Sequence, residues 1–179
     1  MMLNIAGLVA DSIVDGPGVR YAVFVQGCPH HCDGCHNPQT WDFGVKDMMP
    51  VEKVFEKITA DHMLDGVTFS GGEPFCQAKA LSELAAMLRS WKKDINIMSY
   101  TGFEFEYLLS HSNDDNGYLS LLGQLDYLVD GPFILEKRSL ELEFRGSSNQ
   151  RFIDVRKSLD SDKIVLVPED WNKIEIKLI

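Results

Sequence analysis

The chain has 179 residues, with 17 Lys and Arg against 27 Asp and Glu for a formal net charge of −10, and 45% of its residues are hydrophobic. At roughly 100–200 residues per domain this length implies one domain over residues 1–179, and the near-average composition excludes disordered, collagen-like and disulfide-scaffold classes. No apolar run reaches the ~18–20 residues needed to cross a bilayer, no basic cleavable leader is present, and the acidic balance works against sequence-independent binding to nucleic acid. The expectation is a soluble cytoplasmic protein with neither a membrane nor a nucleic acid as partner.

In chain order, residues 19–26 (VRYAVFVQ) follow the turn signal DGPG, are rich in β-branched and aromatic residues, and read as a strand leading into a cysteine loop. A helix is expected from about Pro50, where proline is tolerated in the first turn and Val51, Val54, Phe55 and Ile58 recur at helical spacing. Residues 66–70 (GVTFS) form a short strand ending at GGEP. A second helix covers roughly 77–93, with Leu81, Leu84, Ala85 and Leu88 on one face and Lys92 and Lys93 at the end where positive charge suits the helix dipole.

Residues 95–100 read as a third strand, 104–110 and 118–122 as helical pieces, and 125–130 (LDYLVD) as a fourth strand ending at Gly131-Pro132. Beyond Phe133, LELEF, RFIDV and KIVLV read as short strands of undetermined order. Strands alternating with helices argue for parallel βαβ units in an α/β fold. A closed eight-unit barrel needs ~250 residues, so the candidates are a partial, open β/α barrel or a doubly wound sheet. In either, the loops after the strands' carboxyl ends gather on one rim, and here those loops carry the cysteines, GGEP, YTG and DGPF.

Cys28, Cys32 and Cys35 fall within eight residues and Cys76 stands apart. In a reducing compartment such a cluster reads as metal-binding rather than disulfide-forming. Three soft thiolates select iron–sulfur clusters, zinc or copper(I), and a set one ligand short leaves a metal position open. The alternative from spacing alone is zinc, with His30, His31 or His36 as fourth ligand. Gly71 and Gly72 let a backbone approach a ligand closely, and Glu73 beside them suits an ammonium. Cys76 reads as a small packing thiol.

The stretch DGPGVRYAVFVQGCPHHCDGCHNPQTWD followed by SGGEP resembles the radical S-adenosylmethionine (SAM) enzymes that activate glycyl-radical enzymes. YTGF at 100–103, LVDGPF at 128–133 and FRGSSNQR at 144–151 are similar to the anaerobic ribonucleotide reductase activating proteins in particular, with the pyruvate formate-lyase-type activases as the nearest alternative. A non-catalytic zinc or electron-carrier module is the alternative of a different class.

The resemblance implies a radical SAM partial barrel in which Cys28, Cys32 and Cys35 bind a 4Fe-4S cluster whose fourth iron chelates SAM. It implies further that Gly71, Gly72 and Glu73 receive the SAM ammonium, that the backbone around Gly34, Cys35 and His36 lies against SAM, and that Tyr100, Thr101 and Gly102 continue that wall. The chemistry implied is reductive cleavage of SAM to a 5′-deoxyadenosyl radical that abstracts hydrogen from a glycine of the reductase, with a flavodoxin or ferredoxin-type protein supplying the electron. No side-chain acid or base is required. Gly34 stands where many radical SAM enzymes carry an aromatic residue, and Glu73 where the activases often have Asp. His30 and His31 are expected to shape the loop, and Trp41 to pack over it. Asn149, Gln150 and Arg151 read either as a polar turn or as site contacts. Arg20 reads either as a partner of carbonyls near the loop or as a surface ion-pair residue. With Lys46 it is expected to form a basic patch that offsets the acidic surface toward the reductant.

Overall fold

A computed structural model describes residues 1–60 and 63–169. Its strands are β1 (Met2–Ser12), β2 (Arg20–Val25), β3 (Met48–Pro50), β4 (Gly66–Gly71), β5 (Asn96–Tyr100), β6 (Tyr127–Asp130) and β7 (Arg151–Asp154). They form one mixed sheet in the order β3-β1-β2-β4-β5-β6-β7. The four central strands β2, β4, β5 and β6 run parallel, while β1, β3 and β7 pair antiparallel toward the two edges.

Five α-helices complete the described chain: α1 (Val51–Thr59), α2 (Ala78–Trp91), α3 (Phe105–Ser110), α4 (Tyr118–Leu122) and α5 (Val155–Ser161). Val51, Val54 and Ile58 of α1 and Leu81, Leu84 and Leu88 of α2 are fully buried against the sheet, each side chain contributing ~1.5–3 kcal/mol by removal from water. The C-terminal end of α2 is tied down by Arg89, which donates to the carbonyls of Ile95 and Gln124 and to Asp126. Asp154 caps α5 by accepting from the Lys157 backbone N–H at 3.0 Å.

The parallel strands and the first two helices fall where the sequence places them. β1 and β3 do not announce themselves. β1 carries Gly7, and its pairing with β2 shifts register twice, so the two-residue alternation that marks a strand is broken. β3 has only three residues. LELEF at 140–144 is not a strand; β7 already closes the edge beside β6, and Leu140 is 88% exposed in a loop. RFIDV supplies β7 and the first turn of α5, and KIVLV touches β7 through one bridge, Ile153 to Leu166.

The register of the central strands fixes the site. Val25 lies opposite Gly71, Phe69 opposite Ser99, and Tyr100 opposite Val129. Four consecutive parallel strands therefore end at one level, and the loops that follow them share a rim.

Candidate cluster and cofactor site

The cysteine loop leaves β2 and is stitched to the chain ahead of it. Gly27 N–H donates to the Thr40 carbonyl at 2.8 Å and Cys28 N–H to the Trp41 carbonyl at 3.1 Å. The loop from β4 crosses underneath, Gly72 N–H donating to Val25 and Glu73 N–H to Gly27, both at 2.8 Å. A Cβ on Gly72 would stand 2.3 Å from the Gly27 oxygen, and Gly71 holds φ at +99°, so only glycine permits these two backbones to cross so closely.

Glu73 is buried and all of its carboxylate is engaged by the protein. Oε1 accepts from Phe75 N–H and Thr101 Oγ1, each at 2.9 Å. Oε2 accepts from Gly102 N–H at 2.8 Å and lies 2.8 Å from His30 Nε2. One side chain thus ties together the cysteine loop, the loop after β4 and the loop after β5. Glu73 also lines the cavity in front of the cysteines, so the carboxylate that joins the loops borders the space where a ligand ammonium is expected. The sequence carried half of this signal, since the glycines were legible, whereas the pairing of residues 43 positions apart was not.

Cys28, Cys32 and Cys35 line a single cavity of about 720 Å³ together with Gly71, Gly72, Glu73, Tyr100, Thr101, Gly102 and His36. Such a volume suits a small-molecule cofactor. Gly34, at φ +72°, stands on the loop with its Cα facing Leu135, whose methyl would lie 2.8 Å from a Cβ there. The left-handed backbone at Gly34 is strained for any L side chain, an aromatic one included. Burial pushes the Cys28 and Cys32 thiols up; at Cys28 the backbone N–H groups of His30 and His31 oppose that rise. Coordination reverses the balance, because a metal-bound thiol is deprotonated.

The three cysteines fit a cluster by donor chemistry: soft sulfurs, backbone N–H donors toward each of them, and a cofactor-sized space in front. Among the described residues, no three His, Cys, Asp or Glu side chains close on a point suited to one ion. A cube of irons does not require it, since each thiolate takes its own iron. Of the three histidines considered as a fourth zinc ligand, His30 has a ring nitrogen bonded to Glu73, and the rings of His31 and His36 pack on aromatic neighbours. His31 stacks on Trp41 at 4.9 Å, and the His36 ring lies 5.6 Å from Phe133. Trp41 therefore packs on the loop, as expected. Cys76 is exposed rather than packed in the core, and it does not line this cavity.

Arg20 is no part of a surface patch. It is fully buried beneath the sheet end, donating to Thr68 Oγ1 at 2.6 Å and to the carbonyls of Pro17 and Val67, both at 2.8 Å, and Asn96 at 3.3 Å. Gly66 makes room for it, because a Cβ there would sit 2.3 Å from the guanidinium. The expected basic patch is thereby reduced to the exposed Lys46, whose neighbour Asp47 offsets it. Farther along the rim, Asn149 donates to the Pro132 carbonyl and Gln150 to that of Gly131. Arg151 binds Asp130 and Glu106, and of the three only Gln150 lines the cavity. Arg138 and Arg145 also line it; Arg145 lies within the FRGSSNQR segment, whereas no motif marks Arg138.

A tight three-thiolate loop at the rim of a mixed α/β sheet, facing a cofactor-sized cavity, defines a protein built to hold one iron–sulfur cluster. Residues 14–153 match the family described as a 4Fe-4S single cluster domain. The chain is 36% identical over 146 residues to the anaerobic ribonucleoside-triphosphate reductase-activating protein of Vibrio cholerae, covering 77% of this chain and 89% of that one. It is 31% identical over 146 residues to the protein of that name from Escherichia coli K12, covering 77% and 90%. It is also 31% identical over 140 residues to the pyruvate formate-lyase-activating enzyme of Clostridium pasteurianum, covering 69% and 59%. Among solved structures, QueE from Escherichia coli overlays 56% of this chain and 52% of its own with a TM-score of 0.45 at 20% identity, too partial to define the fold. The chain belongs to the 4Fe-4S single cluster family, in the branch of the anaerobic ribonucleoside-triphosphate reductase-activating proteins.

Proposed function

We propose that this chain is a radical SAM activase that generates the glycyl radical on anaerobic ribonucleotide reductase, working in the cytoplasm as one domain curved into a partial, open β/α barrel. The observation that carries this reading is the convergence of Cys28, Cys32 and Cys35 with the loops after β4 and β5 on one cavity. The share of each chain covered, 77% and 89%, favours a ribonucleotide reductase as partner over pyruvate formate-lyase, whose activase is covered only to 59%.

When bound, the cluster and SAM supply reductive radical chemistry that ends in hydrogen abstraction from a glycine of the partner. The chain's own part is binding and orientation. Cys28, Cys32 and Cys35 hold the cluster and, being three, leave one iron to the cofactor. Gly71, Gly72 and Glu73 form the edge that receives the ammonium, the backbone at Gly34, Cys35 and His36 lies along the cofactor, and Tyr100, Thr101 and Gly102 close the wall. A flavodoxin or ferredoxin-type protein supplies the electron. Among the described residues no helix is long and apolar enough to cross a membrane, consistent with this setting.

The test is electron paramagnetic resonance on anaerobically reconstituted, reduced protein with and without SAM. A reduced cluster signal that changes on adding SAM is the expected result, retained in Cys76→Ser and lost in Cys35→Ala. A cluster indifferent to SAM, or a protein that takes up zinc in place of iron, overturns the reading.

A further inference from the structure

β6 and β7 are antiparallel neighbours, and such a pair can be joined by about two residues. Here the connection runs from residue 131 to residue 150 and carries only a short 3-10 turn, Leu135–Lys137. Connections this long without strands or helices of their own are usually functional. This one holds the end of LVDGPF and nearly all of FRGSSNQR, motifs that the cysteines and the glycine loop leave without a task.

The connection reaches across to the cysteine loop. The Phe133 ring lies 5.6 Å from that of His36, Leu135 lies over Gly34, and the Phe133 backbone N–H favours the Cys32 thiolate. Phe133, Arg138, Leu142, Phe144 and Arg145 line the same cavity as the three cysteines. A turn needed only to close the β6–β7 pair would touch none of these residues.

Its shape is imposed rather than relaxed. Phe144 holds φ at +57°, a conformation that persists in a bulky residue only where its surroundings hold it. The two arms are bridged at Arg138 and Ser147, and Ser148 N–H donates to the Lys137 carbonyl at 2.9 Å. Gln150 joins the start of the connection to its end. Its Nε2 donates to the Gly131 carbonyl at 3.0 Å, while its Oε1 accepts from Gly146 N–H at 2.8 Å and Ser147 N–H at 3.2 Å. Asn149 Nδ2 adds an outer tie to the Pro132 carbonyl at 2.8 Å.

We propose that residues 131–147 form a clasp over the cysteine loop and that Gln150 is its positioning residue, setting how readily the cluster is reduced and how firmly its iron is held. This rests on the activase reading above only in that Cys28, Cys32 and Cys35 hold a cluster. Gln150 acts through others: by fixing Gly131 and Gly146 it fixes Phe133 against the cysteine loop, and with it the two arginines across the cavity.

Reduction adds negative charge at the sulfurs, and hydrogen bonds to them and nearby cations favour that state. The cavity in front of the cysteines is already open, so a loosened clasp admits little new water there. Its main effect is to withdraw the Phe133 N–H and the guanidiniums of Arg138 and Arg145, all of which favour the reduced centre.

The experiment is a dithionite titration with redox mediators, followed by electron paramagnetic resonance on the anaerobically reconstituted full chain without SAM, with iron release to a chelator timed on the same samples. Gln150→Met keeps the length of the side chain and removes its amide. At a fixed solution potential its ratio of reduced to oxidised cluster should fall roughly tenfold, ~59 mV for a one-electron couple. Its iron should leave roughly ten times faster. Asn149→Ala loses only the outer tie and should move both readings the same way by about threefold, and Glu56→Gln on the far helix α1 should behave as the parent. A loaded Gln150→Met with the parent's potential and iron release overturns the proposal, even if its melting temperature falls, because the amide would then serve the fold alone. If Gln150→Met takes up no iron, Asn149→Ala decides by the same two readings, and parent-like values overturn the proposal. A parent protein that takes up zinc in place of iron would instead refute the cluster reading, so the two failures are distinct.

Discussion

His30 Nε2 and Glu73 Oε2 lie 2.8 Å apart, joining the cysteine loop after β2 to the glycine loop after β4. Glu73 also accepts from Phe75, Thr101 and Gly102, so a carboxylate with no solvent exposure fixes the relative positions of three loops. Each loop carries residues assigned here to the cluster or to SAM.

Glu73→Gln tests that linkage. The amide offers one acceptor oxygen and sets an NH2 group against donors such as Gly102 N–H, leaving a buried donor unmatched at a cost of about 1–3 kcal/mol. Denaturant unfolding of the apo chain should show that loss, and iron should dissociate faster from the reconstituted variant. Parent-like stability and iron retention would mean that the loops hold one another without Glu73.

Gly72→Ala should be damaging although the change is one methyl. Its Cβ would meet backbone atoms, Gly27 O at 2.3 Å and Thr40 O at 3.0 Å, which cannot rotate away. Overpacking of this kind costs about 1–3 kcal/mol. Gly7→Ala is the control, because nothing lies within 4 Å of a Cβ there and its effect should stay within about 0.5 kcal/mol. Thermal melts of the two variants decide the point.

Arg20→Met removes a buried cation from four acceptors and should cost about 3 kcal/mol by stranding carbonyls and the Thr68 hydroxyl. Arg20→Lys should recover little, since one ammonium cannot span acceptors arranged around a planar fork. Neither should change the salt dependence of encounter with the reductant. A shift in that dependence would place Arg20 at the surface after all.

Glu106 gives a pH signature. Its hydrogen bond from Arg151 holds its carboxyl below the ordinary value of 4.5. The resulting stability is present above that value and is lost as pH falls through the lower, folded-state one. Because Glu106 is 56% exposed, solvent limits the contribution to no more than about 0.5 kcal/mol. Glu106→Gln should therefore be slightly less stable than the parent at neutral pH, with the difference closing in the acid limb. A gap that persists at low pH would assign the effect to packing.

The sequence by itself determined the cysteine cluster and the parallel core. Cys28, Cys32 and Cys35 are local in the chain, and local spacing survives folding; β2, β4, β5, β6 and the apolar faces of α1 and α2 follow from periodicity and turn signals. Only the tertiary structure decided what depends on residues far apart. The interrupted register hid β1, and β7, by taking the sheet edge, left LELEF without a partner. Glu73 found donors on two other loops, Arg20 proved to be interior, and Gln150 came to join Gly131 to Gly146. The physical reason is common to these cases: a side chain's type limits the bonds it can make, and which partners come within reach is fixed by strand register and helix placement.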